Sequence, residues 1–285
     1  MQDIACIILT KDEAVHIERC IRSAQVVCSD VWVVDSYSTD ATCSMAEALG
    51  ARVVQHAFTN QAEQFNWAID TLPITNQWIW RLDADEIIEP QLARMAELGL
   101  AKLPGSVNGI YVNKKIVFMG RPLLHGGWYP APQIKLIRRG YGRSEDKVMD
   151  EHLIVLAGDT VYWNADQTDW NLRPLDWWWH KHEEYAKREA LNLLRMEQKP
   201  VSEASGAEVR ARLLGTGAER KRWFKRVYAH FPLYVRPVIY FLARYLLMGG
   251  FLDGYAGWYW HTRQGLRYRL LVDYELSQLR KSARQ

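Results

Sequence analysis

The sequence predicts an α/β fold with a mostly parallel central sheet, followed by a helical, aromatic and basic C-terminal region. Short β-rich apolar runs alternate with segments of helical periodicity; the runs lie at residues 4–10, 31–35, 51–55 and 78–83, and the helical segments at residues 13–24, 40–49 and 61–71. Strands that alternate with helices form parallel sheets, which bind ligands at the carboxyl ends of their strands.

The pattern changes after Pro90. Residues 109–119 and 133–138 read as strands interrupted by glycine and proline, and a long helical run covers residues 176–197. Beyond residue 203 the chain is predicted to be largely helical. We therefore expect a sheet domain over residues 1–165, with halves at 1–89 and 90–165, and a helical region over residues 166–285.

Composition limits the function classes. The chain has 285 residues, 48% of them hydrophobic, enough for a substantial buried core. Its net charge of +3, without a recognisable nucleic-acid module, argues against a nucleic-acid partner. The residues at positions 4–9 are predicted to form a strand and not a signal peptide, and no run of about 18 apolar residues occurs, so a cytosolic protein is expected.

Four cysteines lie early in the chain, at Cys6, Cys20, Cys28 and Cys43. None of them forms the close-spaced pairs of zinc or redox motifs. They are predicted to be reduced and mostly buried thiols.

Two carboxylates lie close together in Asp83-Ala84-Asp85-Glu86, where the fourth apolar run ends. Hard oxygen ligands of this kind hold divalent cations, whose open positions are usually filled by substrate phosphates. The alternative is that Asp85 and Glu86 are only acidic residues before a helix that starts near Pro90. A nucleotide-diphosphate site therefore needs support from other parts of the chain.

That support comes from the ends of two other predicted strands. Polar residues follow the first strand at residues 10–13 and the second at residues 35–40. All three strand ends are expected to face one crevice. Asp40 is predicted to cap the next helix, whereas Asp35, at the end of its strand, is a better candidate for contact with a ligand.

These segments, Thr10-Lys11-Asp12-Glu13, Val33-Val34-Asp35-Ser36-Tyr37-Ser38-Thr39-Asp40 and Leu82-Asp83-Ala84-Asp85-Glu86, occur in the order seen in a known family. The chain resembles family 2 inverting glycosyltransferases of the GT-A fold, over residues 1–165. Gly249-Gly250-Phe251-Leu252-Asp253-Gly254 and Tyr268-Arg269-Leu270-Leu271-Val272-Asp273 further resemble a bacterial subgroup that builds exopolysaccharide, O-antigen or lipopolysaccharide sugars.

The resemblance implies roles for these residues. Thr10, Glu13 and Asp35, with Ser36, would hold the nucleoside of a nucleotide-sugar donor. Asp83 and Asp85 would serve the ribose and a Mg²⁺ or Mn²⁺ ion on the diphosphate. One departure is Tyr37, which stands where the family usually has glycine and so puts the backbone shape of that loop in question.

An inverting transfer also needs a general base that takes the proton of the acceptor hydroxyl. The acidic segment at residues 145–152 supplies candidates, and Asp150 and Glu151 match the subgroup best. As neighbours in an extended segment they would point to opposite faces, and Glu151 is narrowly favoured. The alternative is an exposed acidic loop. His182, on the long predicted helix, is a further candidate for contact with the donor diphosphate.

The C-terminal region suggests a membrane surface. Residues 220–226 are all basic or aromatic, and residues 234–248 combine an apolar pattern with Arg236 and Arg244. Helices of this composition lie in the headgroup region of anionic membranes. The alternative is that they only pack on the rest of the protein.

The leading hypothesis is a metal-dependent inverting glycosyltransferase. It would act on a glycan or lipid-linked oligosaccharide acceptor, peripherally at the inner face of the cytoplasmic membrane. Alternatives are a catalytically silent membrane-surface scaffold with a GT-A-like fold, or a nucleotidyltransferase, although the turn at residues 10–13 lacks the glycine- and Arg/Lys-rich loop expected of the latter.

Overall fold

The computed structural model describes residues 2–145, 152–198, 227–228 and 231–282. The chain divides into two compact units. The first contains residues 1–124 and 128–173, and the second contains residues 125–127 and 174–285. The domain boundary predicted after residue 165 falls within a strand of the first unit, Asp159–Trp170.

The first unit is built on a nine-stranded sheet. Its strands are β1 (Gln2–Thr10), β2 (Cys28–Asp35), β3 (Arg52–Gln55), β4 (Trp78–Asp83), β5 (Glu86–Ile88), β6 (Val107–Phe118), β7 (Arg121–Pro122), β8 (Pro132–Arg138) and β11 (Asp159–Trp170). The order is β3-β2-β1-β4-β8-β6-β11-β5, and β7 pairs with β6. A separate two-stranded antiparallel sheet pairs β9 (Gly142–Ser144) with β10 (Leu153–Val155). The predicted α/β fold is confirmed.

Helices of the first unit connect these strands: α1 (Ile17–Gln25), α2 (Thr42–Ala48), α3 (Gln61–Thr71) and α4 (Pro90–Gly99). Strands β3, β2, β1 and β4 run parallel, as do β6 and β11, whereas β8 lies antiparallel between β4 and β6. The helix predicted from residue 13 begins at Ile17, since residues 14–16 form a turn.

Strand β1 is buried on both faces. Ile4, Cys6 and Ile8 join one apolar cluster, and Ala5, Ile7 and Leu9 join the other. This alternation follows from the two-residue period of a strand, and burial on both sides explains its continuous apolar run. The cysteines are free, and Cys6, Cys20 and Cys28 are buried, as expected.

A buried polar cluster links four strands of the sheet. Both carboxylate oxygens of Glu86, which is fully buried, lie 2.8 Å from Lys135 Nζ. Gln167 Nε2 donates to Glu86 at 2.6 Å, and Gln167 Oε1 accepts from Trp80 Nε1 at 2.9 Å. Glu86 also accepts from the backbone N–H of Asp83 at 3.0 Å. The cluster therefore fixes the turn that carries Asp83 and Asp85.

Asp85 lies beside this cluster in a strongly acidic environment. Burial and the negative charges of Asp169 and Asp83 raise the pKa of its carboxyl to about 7. Lys114 offsets part of this effect and pairs with Asp169 at 2.8 Å. The turn thus holds a carboxyl group whose ionised form is disfavoured by its surroundings.

The second unit is helical in its described part. It contains α5 (Leu175–Gln198), α6 (Val235–Leu242), α7 (Gly254–Trp260) and α8 (Tyr268–Ser282), with π-helical turns at Ala243–Leu247 and His261–Arg267 and a 3₁₀ turn at Gly250–Asp253. Helices α5 and α8 pack through a core that includes Ala186, Ala190, Val272 and Leu276. Glu189 of α5 accepts from Tyr268 Oη and from Arg269, each at 2.6 Å.

The glycine-rich motif at residues 249–254 permits a close turn. Gly249 and Gly254 adopt positive φ angles of 72° and 66°, which are unfavourable for other residues. A Cβ atom on Gly250 would lie 2.3 Å from Nε2 of His261, so only glycine fits there. The 3₁₀ turn ends at Asp253, which accepts from the backbone N–H of His125 at 3.0 Å and contacts its Nδ1 at 2.6 Å.

Within the described residues, no single helix is long and apolar enough to cross a bilayer. The pair Val235–Leu247 and Gly250–Ser282, bent by 71°, meets the length and composition criteria only when taken together.

Replacing Glu86 tests the buried cluster. Glu86→Ala leaves the buried Lys135 ammonium without its carboxylate, and we expect a loss of about 3–5 kcal/mol in the free energy of unfolding. Adding Lys135→Met should recover much of that loss, because the uncompensated charge is then gone. Urea titration measures both variants. The control Glu97→Ala, on the exposed side of α4, should change stability by less than about 0.5 kcal/mol. A loss below 1 kcal/mol in Glu86→Ala would contradict this account.

The raised pKa of Asp85 predicts that the free energy of unfolding depends on pH in metal-free buffer. Because its folded pKa is raised, the folded state holds a proton that the unfolded state releases between about pH 4 and pH 7. Stability from this group is therefore present at low pH and lost as pH rises. Asp85→Asn should raise the free energy of unfolding at pH 8, on the order of 1 kcal/mol, and less at pH 5.

Urea titrations at the two pH values, with EDTA present, measure this difference. The control Asp159→Asn removes an exposed carboxylate and should give the same small change at both. An equal gain for Asp85→Asn at pH 5 and pH 8 would show that crowding of charge at Asp85 does not limit stability.

Candidate functional site

Three polar loops follow adjacent parallel strands at one edge of the sheet. In the register of β1, Thr10 lies opposite Asp35 of β2, and Leu9 lies opposite Asp83 of β4. The carboxyl ends of three neighbouring strands therefore lie at one level. This arrangement is the usual position of a ligand in an open α/β sheet.

The loop after β2 is organised by Asp35. This fully buried carboxylate accepts from the backbone N–H of Ser38 at 2.8 Å and from the Ser38 hydroxyl. Tyr37 in the same loop has a φ of 58°, and its side chain is exposed. Lys11 Nζ donates to the carbonyl oxygens of Ser36 and Tyr37 at 3.0 and 2.7 Å. The loop thus keeps a left-handed turn without glycine, at a cost of roughly 1 kcal/mol.

Thr10 and Ser36 present hydroxyls beneath this loop. Ser36 Oγ lies 2.6 Å from Gln64 Nε2, and the backbone N–H of Ser36 donates to the carbonyl of Thr10 at 3.0 Å. Thr10 is 4% exposed, and within the described part of the chain its Oγ1 atom has no hydrogen-bond partner. A buried hydroxyl left without a partner costs about 1–3 kcal/mol. A ligand that reached Thr10 would remove that penalty.

Glu13 is oriented by His16. The Nδ1 atom of His16 hydrogen-bonds the Glu13 carboxylate, and its Nε2 atom accepts from the backbone N–H of Leu172 at 2.8 Å. Since Nε2 is an acceptor, the ring proton lies on Nδ1 and faces Glu13. Arg173 lies 3.6 Å from the same carboxylate. The backbone N–H of Glu13 donates to Thr42 Oγ1 at 2.8 Å.

The prediction from sequence missed His16 and Arg173. The position of His16, three residues after Glu13, was a usable signal because such residues are neighbours in a helical turn. Arg173 offered no such signal, since it comes from the end of the first unit. Asp40, predicted as a helix cap, accepts from the backbone N–H groups of Thr42 and Ala14 at 3.0 and 3.1 Å.

The loop after β4 supplies hard oxygen ligands. The side chain of Asp83 is 26% exposed and lies 3.7 Å from Arg81. Asp85 accepts from Asn171 Nδ2 at 3.1 Å, and its backbone carbonyl accepts from Arg19 at 3.3 Å. Mutually repelling carboxylates of this kind suit a hard divalent cation. No group of three or more His, Cys, Asp or Glu able to hold a metal occurs in the described ranges.

The remaining predicted site residues lie elsewhere. His182 belongs to α5 in the second unit, where its ring lies 3.8 Å from that of Trp178 and its Nδ1 lies 2.7 Å from the Trp178 carbonyl oxygen. Burial lowers the pKa of His182. Asp150 and Glu151 lie outside the described residues, as does the basic segment 220–226. The roles predicted for all of these residues stay predictions.

The comparisons with known proteins concern mainly the first unit. Residues 5–140 match the model of glycosyl transferase family 2. An uncharacterized glycosyltransferase of Rickettsia bellii is 43% identical over 89 residues, covering 31% of this chain and 30% of that protein. One of Rickettsia felis is 40% identical over 92 residues, covering 32% of each. The chain thus matches less than a third of the length of these relatives.

A solved structure extends the likeness of the fold. The mannosyltransferase PcManGT from Pyrobaculum calidifontis, in complex with GDP-Man and Mn²⁺, superimposes with a TM-score of 0.51 at 13% identity. The alignment covers 96% of this chain and 86% of that one. The likeness supports a GT-A-like fold, as the sequence predicted. Over residues 5–140 the chain is therefore similar to glycosyl transferase family 2.

Proposed function

We propose that this chain is an inverting glycosyltransferase that moves a sugar from a nucleotide-diphosphate donor to a hydroxyl group of a glycan. The observation that carries the proposal is the convergence of Thr10, Asp35 and Asp83 at the carboxyl ends of three adjacent strands. It combines a buried hydroxyl without a partner with carboxylates suited to a cation. The family match over residues 5–140 supports the same activity.

In this proposal Thr10, Glu13, Asp35 and Ser36 bind the nucleoside. The carboxylates are held in place by neighbours: His16 orients Glu13, and Ser38 orients Asp35. Binding groups whose rotamers are fixed in advance lose little entropy when the ligand arrives. The Thr10 hydroxyl, which the described protein leaves without a partner, would gain one from the donor.

Asp83 and Asp85 would hold a Mg²⁺ or Mn²⁺ ion together with the donor diphosphate. Sites for Mg²⁺ commonly use only one or two carboxylates, with phosphate oxygens and water completing the coordination. The bound ion would stabilise the negative charge that develops on the leaving diphosphate. His182 is a further proposed donor contact through Nε2, since its Nδ1 already faces the Trp178 carbonyl.

Glu151 is proposed as the general base, with Asp150 as the alternative. Removing the proton of the acceptor hydroxyl requires a general base away from the leaving diphosphate. Asp83 and Asp85 are assigned to that diphosphate, and the resemblance to family 2 glycosyltransferases implies that a carboxylate later in the chain acts as the base.

The acceptor is proposed to be a lipid-linked oligosaccharide of a bacterial surface glycan. The enzyme would then contact the inner face of the cytoplasmic membrane peripherally. Support comes from the basic and aromatic composition of residues 220–226 and from the exposed apolar residues of the second unit, such as Leu247 and Leu252.

Donor binding tests the proposed activity. We expect one family among UDP-, GDP- and dTDP-sugars to raise the melting temperature by about 2–4 °C at tenfold excess over its dissociation constant, in the presence of Mn²⁺. Asp85→Ala should abolish this shift because the cation loses a ligand. Thermal denaturation with and without Mn²⁺ measures the effect.

The matched control is Asp159→Ala, which removes an exposed carboxylate at the start of β11 and should keep the full shift. A folded wild-type protein that responds to no donor, with or without metal, would refute the proposed donor site.

The choice of base has its own test. Glu151→Gln should lower kcat by about 10²–10⁴ while the donor-induced melting shift is retained, because a general base acts on the acceptor hydroxyl in the transition state. Asp150→Asn should lower kcat much less. Steady-state rates of nucleotide release with a glycan acceptor give the comparison. If Asp150→Asn shows the larger loss, the two roles are exchanged.

A further inference from the structure

The second unit carries a surface on which the usual distribution of polarity is reversed. Between residues 231 and 258 every exposed residue is apolar, aromatic, glycine or proline. We call these exposed residues the apolar face. The most exposed are Leu247 at 87%, Tyr255 at 63% and Leu252 at 60%. Single exposed leucines are ordinary in proteins, but a run of 28 residues whose exposed members are all uncharged is typical of an interaction site.

Two of the three charged residues of the same stretch are buried, and the third, Arg244, is half-buried. Arg236 is 4% exposed and pairs with the buried carboxylate of Asp273. Asp253 is 9% exposed and contacts His125 at 2.6 Å. The sequence analysis counted Arg236 among the basic residues of a possible interface helix, and the structure shows that this side chain is buried. Charges inside and apolar groups outside are the arrangement expected where the surroundings are not water.

The shape of the apolar face suits shallow insertion. The segment Val235–Leu247 is about 20 Å long at ~1.5 Å per residue, short of the roughly 30 Å of a hydrocarbon core. The chain then bends by 71° at the glycine-rich turn. Leu246, Leu247 and Met248 precede the turn, and Phe251 and Leu252 lie on it. The bend therefore exposes apolar side chains on two consecutive short elements.

The charge of this stretch indicates the partner. Residues 231–267 contain four arginines and one aspartate; Arg236 is neutralised by Asp273 and the aspartate is buried, so the accessible charge of the stretch is positive. Arg267 follows the apolar face and is exposed. Tyr255 and Trp258 are exposed aromatic residues, of the type that lies at headgroup level. Apolar residues accompanied by aromatic rings and positive charge match an anionic lipid surface.

We propose that the apolar face inserts into the interface of an anionic bilayer, with Leu247 and Leu252 reaching the acyl chains. The inference deepens the proposed function. It rests on that proposal in one respect: a lipid-linked acceptor would give the enzyme a reason to bind a bilayer. A second copy of this chain is the competing occupant.

Vesicle flotation of the full chain tests the insertion. We expect wild type to float with phosphatidylcholine vesicles containing 30% phosphatidylglycerol, more weakly with pure phosphatidylcholine, and to remain bound in 0.5 M NaCl, because apolar burial is not screened by salt. Leu247→Glu/Leu252→Glu should reduce partitioning by at least about tenfold. The control Leu98→Glu replaces a comparably exposed leucine of α4 and should float like wild type.

Both replaced leucines are exposed, so the variant should fold; circular dichroism checks this, and Leu247→Ala/Leu252→Ala serves if the glutamates disturb folding. Three results would overturn the inference: equal flotation of wild type and the double variant, complete release at 0.5 M NaCl, or a dimer in sedimentation that floats on neither vesicle and dissociates in the variant. The last result assigns the face to a second copy.

The donor-induced melting shift, measured on the same samples, separates the two proposals. The double variant should keep the wild-type shift. Flotation without any donor response would leave the membrane face standing and refute the donor site. A donor response without flotation would support the donor site and refute the membrane face.

Discussion

The buried pair of Glu86 and Lys135 is the interaction on which the sheet and its acidic edge depend. A carboxylate removed from water is costly unless cations and donors surround it, and here Lys135 and Gln167 supply both. These partners come from β8 and β11, so the pair can form only when the antiparallel strand β8 lies beside β4. Because Glu86 also accepts a hydrogen bond from the backbone N–H of Asp83, the pairing of these strands also fixes the geometry of the turn at residues 83–86.

The edge of the sheet collects features that are unfavourable in isolation. Asp85 carries a raised pKa among like charges, Tyr37 adopts a left-handed backbone, and the Thr10 hydroxyl is buried without a hydrogen bond in the described structure. Such departures persist only where surrounding structure enforces them, and they cluster at functional sites. Their convergence at three adjacent strand ends favours a ligand with negative charge, a cation and polar groups. The proposed donor, a nucleotide-diphosphate sugar with a metal ion, would combine all three.

Periodicity and strand-end chemistry predicted the parts of this site that are local in sequence. The apolar runs located β1, β2 and β4, and parallel pairing then required Thr10, Asp35 and Asp83 to lie together. The supporting residues could not be predicted in this way, because they lie far from the site in sequence. His16 contacts Leu172, Glu13 contacts Arg173, and Asp85 contacts Asn171. The periodicity of one segment does not specify which distant segment will pack against it.

The C-terminal helices show a second limit of sequence reasoning. An arginine within an apolar helix predicts a position at a membrane boundary when its side chain faces water. The side chain of Arg236 is instead buried and pairs with Asp273. The sequence pattern is the same in both cases, and only tertiary pairing separates them. With Arg236 buried, no charged residue is fully exposed between residues 231 and 258. Each square ångström of apolar surface left in water costs about 25 cal/mol relative to burial, so covering this face stabilises the folded state. Insertion as proposed would therefore make the second unit more stable on a bilayer than in water, and would couple its attachment to its folding.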